Sequence, residues 1–370
     1  MMDCPAWDVI PSPDSGASDN SLSGVTALSA SDAWAVGEYF TTKGFSRTLI
    51  EHWDGSKWSI VASPNAGQSD NILTGVTSVS ANNVWAVGFY NFHRKSPART
   101  LIEHWDGRQW SIVSNANAGP SDNILHAVTA VSANDIWTVG LYNTSDNSPL
   151  FTLIEHWNGA KWSVISSPNS DASSNGLAGV AAVSAKDTWA VGNYVPNGPN
   201  NQGKTLIEHW NGTGWSIIAS PNVMASYNSL AAIVAISSRD IWAVGNYNVN
   251  FRSPLFTLIE HWNGSKWSII SSPNPSSTYN SLTGVAATSA NDVWAVGARN
   301  SRKGSQQEVL IEHWDGSKWS VVPGSNPSST FNTLSGAAHI PGTGSTWAVG
   351  DYFNGSNGQT LTELGNACVS

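Results

Sequence analysis

Apolar and polar positions along this chain follow a pattern that repeats about every 52 residues. Each unit holds four short segments rich in apolar, β-branched or aromatic residues, as in LTGVTSVSA, VWAVGFY, TLIEHWDG and WSIV of the second unit. Such segments between turn residues predict four short strands per unit. The tetrapeptide Trp-Ala/Thr-Val-Gly marks the units, beginning at Trp34, Trp85, Trp137, Trp189, Trp242, Trp294 and Trp347.

The connections between these segments predict how the strands pair. Asp/Asn-Gly between the third and fourth segments is a strong hairpin signal, and a short turn joins the first two. The other two connections are long and differ between units. Four antiparallel strands joined in this way form one blade of a β-propeller. Seven such units predict an all-β, seven-bladed propeller, with residues 1–370 forming a single domain.

The two ends of the chain are expected to complete one blade together. Trp7 precedes the first complete unit but matches the Trp that starts each fourth strand, whereas residues 360–364 begin a third strand that no fourth strand follows. Residues 1–13 should therefore supply the last strand and close the ring. In this alignment Cys4 and Cys368 fall where a hairpin stands elsewhere, so a disulfide could replace that turn and would imply an oxidising compartment.

Over its whole length the chain resembles bacterial propellers built from nearly identical tandem blades. WDGSKW is similar to the Asp-box hairpin of sialidase-type propellers, although it lacks that motif's residue between Asp and Gly. Kelch and tectonin-type propellers share the richness in Trp and Gly. The resemblance implies the fold alone, because propellers host lectins, hydrolases, lyases and scaffolds.

Charge and composition indicate which kinds of binding partner are not expected. The net charge is −9, and the 17 Lys and Arg residues are scattered, with no basic run longer than His93-Arg94-Lys95. Nucleic acid is therefore not an expected partner. The sequence contains no stretch of 18 apolar residues, so no membrane-spanning helix is predicted. We expect a secreted or cell-surface protein, because a disulfide between Cys4 and Cys368 would imply an oxidising compartment. We expect no cofactor or metal, because no phosphate loop, Cys-based metal spacing or dinucleotide motif is present.

The most conspicuous repeated residues are predicted to be structural. All 20 Trp fall into three repeated rows, which suit packing between blades. Glu and His of the recurring Glu-His-Trp lie on opposite faces of a strand, so they do not point at one substrate. We expect this Glu and His to form hydrogen bonds with the neighbouring blade or with an underlying loop. A repeated Asn before each first strand, such as Asn71, either holds the loop or offers a ring of ligand-binding amides.

Candidate chemistry lies where the units differ, because a single site must be asymmetric. The long connections converge on one mouth of the channel, the upper face. Immediately before the repeated Asn, the side chain is acidic in three blades and aromatic in three others, namely Asp19, Asp70 and Asp122 against Tyr227, Tyr279 and Phe331. These six residues are candidate ligand-binding groups, and Arg299 could add positive charge.

Three further residues are candidates for catalysis if the protein is an enzyme. Glu38 and Asp351 follow Trp-Ala-Val-Gly in blades that ring closure makes neighbours, so they are expected to lie near each other. A pair of carboxyl groups can do acid/base work on a glycosidic bond. His126 is the titratable residue in a row of Ser, Thr and Ala near the channel.

Three functions remain open from the sequence. The leading hypothesis is a lectin-like propeller that binds a carbohydrate or another small-molecule ligand on its upper face, at the channel mouth or between blades. Asn, Ser, Asp and Tyr form hydrogen bonds with hydroxyl groups, and aromatic rings stack on sugars. The alternative is an enzyme of glycoside hydrolase, lyase or small-molecule cyclase type with one site at the mouth, using Glu38, Asp351 and Asp19. A protein-interaction scaffold is the third.

Overall fold

A computed structural model describes residues 7–16, 18–146, 148–170, 172–197, 202–223, 227–248, 254–301, 304 and 306–366. It confirms the seven-bladed propeller, in which seven separate sheets each contain four antiparallel strands. Within the described residues, no helix is long and apolar enough to cross a membrane.

Each blade runs from an inner strand at the channel to an outer strand at the rim. The inner strands are β2 Asn20–Ser29, β6 Asn71–Ser80, β10 Asn123–Ser132, β14 Ala172–Ser184, β18 Tyr227–Ser237, β22 Asn280–Ser289 and β26 Asn332–His339. The second strands are β3 Asp32–Phe40, β7 Asn83–Asn91, β11 Asp135–Tyr142, β15 Asp187–Pro196, β19 Asp240–Asn248, β23 Asp292–Asn300 and β27 Thr346–Phe353. The third strands are β4 Ser46–Trp53, β8 Ala98–Trp105, β12 Phe151–Trp157, β16 Lys204–Trp210, β20 Leu255–Trp262, β24 Gln307–Trp314 and β28 Gly358–Gly365. The outer strands are β5 Trp58–Ile60, β9 Trp110–Ile112, β13 Trp162–Val164, β17 Trp215–Ile217, β21 Trp267–Ile269, β25 Trp319–Val322 and β1 Asp8–Val9.

The ring closes as the sequence predicts. β1 pairs antiparallel with β28 and so supplies the outer strand of the last blade. Just beyond β1, the Ile10 N–H donates to the Thr362 carbonyl at 2.9 Å. Cys4 and Cys368 lie outside the described residues, and the disulfide between them stays a prediction.

The glycine of the repeated Trp-Ala-Val-Gly lies against a bulge in the inner strand. In the first blade the register shifts between Leu22 and Gly24, and Gly37 lies opposite Leu22. A Cβ at Gly37 would overlap the backbone carbonyl oxygen of Ser21. The same close approach recurs at Gly88, Gly140, Gly192, Gly245, Gly297 and Gly350. Only a residue without a side chain fits here, which explains why this glycine occurs in every blade.

The repeated His is bonded within its own blade. His156 Nε2 lies 2.8 Å from Asp135 Oδ1 at the start of the second strand, and its ring stacks on Trp137 with a centroid separation of 4.1 Å. Equivalent bonds join His52 to Asp32, His104 to Asn83, His209 to Asp187, His261 to Asp240 and His313 to Asp292. The sequence predicts a bond to the neighbouring blade or an underlying loop, whereas the structure places the partner one strand away.

The repeated Glu of the third strand is fully buried. All seven copies have no exposed surface, namely Glu51, Glu103, Glu155, Glu208, Glu260, Glu312 and Glu363. Burial raises the pKa of six of them to about 8 and that of Glu51 to about 9. A carboxyl group with such a pKa is largely protonated and neutral at pH 7. Each lies on the third strand of a different blade, so the seven carboxyl groups do not form one common site.

Candidate functional site

The upper face holds the connections from second to third strands and from outer to inner strands. Below it, the inner strands surround a central cavity of about 180 Å³. The cavity is lined mainly by small residues, including Ser23, Thr74, Ala178 and Ser335. Within the described residues, no cluster of three or more His, Cys, Asp or Glu could hold a metal ion.

His126 is the one titratable side chain among the described residues that line this cavity. Its Nδ1 lies 2.8 Å from the Leu177 carbonyl oxygen in the next blade. A carbonyl can only accept, so Nδ1 carries the hydrogen, and in the neutral ring Nε2 is then an acceptor. Burial lowers the pKa of His126, which favours this neutral form. His126 is thus a positioned acceptor in the channel.

Glu38 and Asp351 lie in one sector of the mouth, where the last blade meets the first. Ser21 Oγ donates to Asp351 Oδ1 at 3.3 Å across the junction between the two blades. The pKa of Asp351 is raised to about 6, mainly by burial; the hydrogen bond from Ser21 opposes this rise, and the charges of Asp19 and Glu38 contribute to it. Burial also raises the pKa of Glu38, with a smaller contribution from the charge of Asp70. The structure therefore brings these carboxylates into one electrostatic neighbourhood.

The acidic row also links neighbouring blades. Each carboxylate accepts the backbone N–H at or near the start of the preceding blade's third strand. These bonds run to Asp19 Oδ1 from Gly358 at 2.6 Å, to Asp70 Oδ1 from Ser46 at 3.1 Å, and to Asp122 Oδ1 from Ala98 at 2.8 Å. One oxygen of each predicted ligand-binding acid is therefore engaged in the fold, which sequence reasoning did not foresee.

The aromatic row lies on blades five to seven. The hydroxyl oxygen of half-buried Tyr227 accepts a hydrogen bond from Asn193 Nδ2 at 3.2 Å, and burial raises the pKa of Tyr227. Tyr279 is half-buried, and its backbone pairs with Leu255 in an isolated parallel bridge. Phe331 is 36% exposed. The acidic and aromatic rows thus occupy different arcs of the mouth.

Arg299 does not offer a free positive charge. Its Nη2 lies 3.0 Å from Glu308 Oε2 on the adjacent strand of the same blade. The ion pair forms because the two residues face each other directly across β23 and β24. A ligand would have to compete with Glu308 for this guanidinium.

The structure also shows polar pairs between blades that sequence reasoning missed. Ser229 Oγ donates to Asn193 Oδ1 at 3.4 Å, and Asn246 Nδ2 donates to Ser281 Oγ at 3.0 Å. Asn193 and Asn246 occupy the same position after Trp-Ala-Val-Gly as Asp351. Together with Asp351 and Ser21 they form what we call the polar arc. These pairs could have been found from the sequence. Where the residue after Trp-Ala-Val-Gly is Asp or Asn in these blades, the residue after the repeated Asn in the next blade is Ser.

The repeated Asn holds the loop that precedes each inner strand. Asn71 has no exposed surface, and its Oδ1 accepts the Gly67 N–H at 2.8 Å. Its Nδ2 donates to the carbonyls of Gly67 and Ser69, both at 3.0 Å. Of the two sequence-based alternatives, the structure supports loop anchoring over a ring of ligand-binding amides.

Comparisons with known proteins extend only to the architecture. No family model matches the chain, and no curated protein matches it. One similar solved structure is YCF48 bound to D1 peptide, with 15% sequence identity, a TM-score of 0.56 and coverage of 99% of both chains. Another is a polysaccharide lyase, PL25 ulvan lyase, bound to -[GlcA(1-4)Rha3S]-, with 12% identity, a TM-score of 0.59 and coverage of 94% of both chains. At these identities the likeness shows the propeller fold and nothing further.

Proposed function

We propose that this protein is a binding propeller that takes carbohydrate on its upper face. The observation that carries the proposal is the polar arc, in which Asp351 and Ser21, Asn193 and Ser229, and Asn246 and Ser281 form hydrogen-bonded pairs at half-buried or buried positions between blades. Such fixed amide, carboxylate and hydroxyl groups match the donors and acceptors of sugar hydroxyls.

Exposed aromatic side chains beside the arc support the same function. Phe331 and Phe353 are 36% and 37% exposed, and the Phe353 N–H donates to the Phe331 carbonyl at 3.0 Å, which joins the two segments. An aromatic face of this kind can stack on the apolar face of a sugar ring. The polysaccharide bound to the similar lyase is compatible with this proposal, whereas the peptide bound to YCF48 favours a protein-interaction scaffold.

Substitution in the polar arc should weaken carbohydrate binding. We expect Asn193→Ala to reduce the affinity for a glycan identified on an array by about tenfold, since losing one or two hydrogen bonds costs about 1–2 kcal/mol. Titration calorimetry measures the change. Gln109→Ala is the control, because Gln109 is exposed in a turn on the lower face. No binding to any glycan, or an equal loss in both variants, would rule out a site at the polar arc.

The enzyme alternative rests on a specific observation, the raised pKa of Asp351 near Glu38. With a pKa of about 6, Asp351 can accept a proton near neutral pH while Glu38 serves as the second carboxyl group. For a bound glycan that is also cleaved, we expect the rate to fall below about pH 6, because protonation removes the base. Asp351→Asn should then reduce kcat about 100-fold or more.

The control for this experiment is Asp54→Asn. Asp54 lies in a lower-face turn, and the corresponding residue in three other blades is Asn. Unchanged turnover in Asp351→Asn and Glu38→Gln would exclude the acid/base role. Glycan binding without turnover in the unmodified protein would leave binding as the function.

A further inference from the structure

The upper rim of the first two blades carries a basic and aromatic surface that the proposed site does not use. It consists of Lys43 and Phe45 from the connection after β3, and Phe92, His93, Arg94 and Lys95 from the connection after β7. We call it the basic rim. Lys43 and the four residues of the second connection are exposed, and Phe45 is half-buried. Segments 41–45 and 92–97 contain no Asp or Glu.

The second connection has a defined conformation. The Ser96 N–H donates to the His93 carbonyl at 2.9 Å, and the His93 N–H donates to Ser96 Oγ at 3.0 Å. Lys95 has a φ of 71°, a left-handed conformation that costs free energy outside glycine. This turn fixes the backbone from which the side chains of His93, Arg94 and Lys95 project.

A contact between blades joins the two connections. The guanidinium carbon of Arg94 lies 5.6 Å from the centre of the Phe45 ring, within the range of a cation–π interaction. Lys43 lies two residues away in a turn that is closed by a 2.8 Å bond from the Gly44 N–H to the Thr41 carbonyl. The basic rim is therefore one continuous surface rather than two separate loops.

The chemistry of this surface indicates an acidic sugar polymer. Lys43, Arg94 and Lys95 concentrate three positive charges in a protein of net charge −9. Arg binds carboxylate and sulfate through two parallel hydrogen bonds. Phe92 is 51% exposed and meets the His93 ring edge to face at 4.6 Å. An aromatic ring beside cationic groups suits a sugar that carries an anionic substituent, because the ring stacks while the cations pair with the charge.

We propose that the basic rim binds the carboxylate or sulfate groups of an anionic polysaccharide, an inference that rests on carbohydrate binding as the proposed function. The basic rim adds positive charge. The polar arc has none, since it offers groups that bind hydroxyls and a negative charge. The basic rim thereby selects acidic over neutral chains.

Dextran sulfate and unmodified dextran test this inference, because the two polymers differ only in the sulfate groups. We expect the intact protein to bind dextran sulfate at least tenfold more tightly than dextran in biolayer interferometry at physiological salt. The double variant Arg94→Ser/Lys95→Ser should lose at least tenfold in affinity for dextran sulfate, and Phe92→Ala should weaken it by about threefold or more. Lys57→Ser/Lys318→Ser is the matched control, because it removes the same charge from exposed lower-face turns.

Each contrary result separates the two proposals. Equal losses in both double variants would overturn the basic rim as the site, because general charge would explain the binding. An unchanged affinity in Phe92→Ala, or preferential binding to phosphatidylserine vesicles, would overturn the assignment to a polysaccharide. Binding to neutral glycans without preference for dextran sulfate would overturn this inference and leave the proposed function intact. Absence of binding to every glycan would overturn both.

Discussion

Gly140→Ala is expected to lower the free energy of unfolding by about 3 kcal/mol or more. The new Cβ would overlap the Ile124 carbonyl oxygen and come within 2.9 Å of Leu125 Cα. Both contacts are backbone atoms of a paired inner strand, so they cannot move aside as a side chain could. Urea unfolding followed by tryptophan fluorescence measures the change.

Gly214→Ala provides the control for this prediction. A Cβ at Gly214 meets nothing within 4 Å, and its φ is not in the left-handed region. We expect a change within about 0.5 kcal/mol or a slight stabilisation, since Ala reduces the freedom of the unfolded chain. Equal midpoints for the two variants would show that the bulge yields to a side chain.

The thermal stability of the protein is expected to fall as pH rises from about 5 to 9. The buried Glu residues of the third strands ionise near pH 4.5 when unfolded, whereas burial holds their pKa at about 8 or 9 in the folded state. Between these values the folded protein binds more protons. The stabilisation is therefore complete below about pH 4.5 and is lost as pH rises through the folded pKa.

Glu260→Gln isolates one of these groups. Gln has nearly the same shape and cannot ionise, so the variant should show a shallower decline of melting temperature with pH than the unmodified protein. Glu308→Gln is the control, because Glu308 is partly exposed and lies in an ion pair with Arg299. A melting temperature that stays level or rises between pH 5 and 9 would contradict the neutral state of the buried carboxyl groups.

The architecture could be predicted from the sequence because the same pattern of four strand segments recurs in each repeat. Ring closure follows from two observations: Trp7 stands ahead of the first complete unit, and residues 360–364 begin a third strand that no fourth strand follows. The bond between the repeated His and its Asp or Asn partner could also have been found. Six blades carry both residues, and the last blade lacks both, with Ser345 in place of the Asp or Asn and Leu364 in place of the His.

The candidate site could be predicted only in part. Sequence places Asp19, Asp70 and Asp122 at the mouth, but their bonds to backbone N–H groups of the preceding blade depend on how closely two blades approach. The Arg299–Glu308 pair was missed for a similar reason, because it requires the register between two strands. The alternation of side chains along a strand likewise predicts the face of the sheet on which Glu260 lies. It does not predict whether a hydrogen-bond partner for the carboxyl group lies on that face.

The pairing of β1 with β28 also fixes the direction in which the molecule can be tethered. The first residue of β1 and the last residues of β28 lie at the lower face, next to Trp7 and Asn366 and opposite the mouth. Trp7 and Asn366, the first and last described residues, therefore lie on the face opposite the polar arc and the basic rim. Immobilisation through a terminus should present the upper face outward to a large polymer, whereas random coupling through surface lysines would block part of the rim.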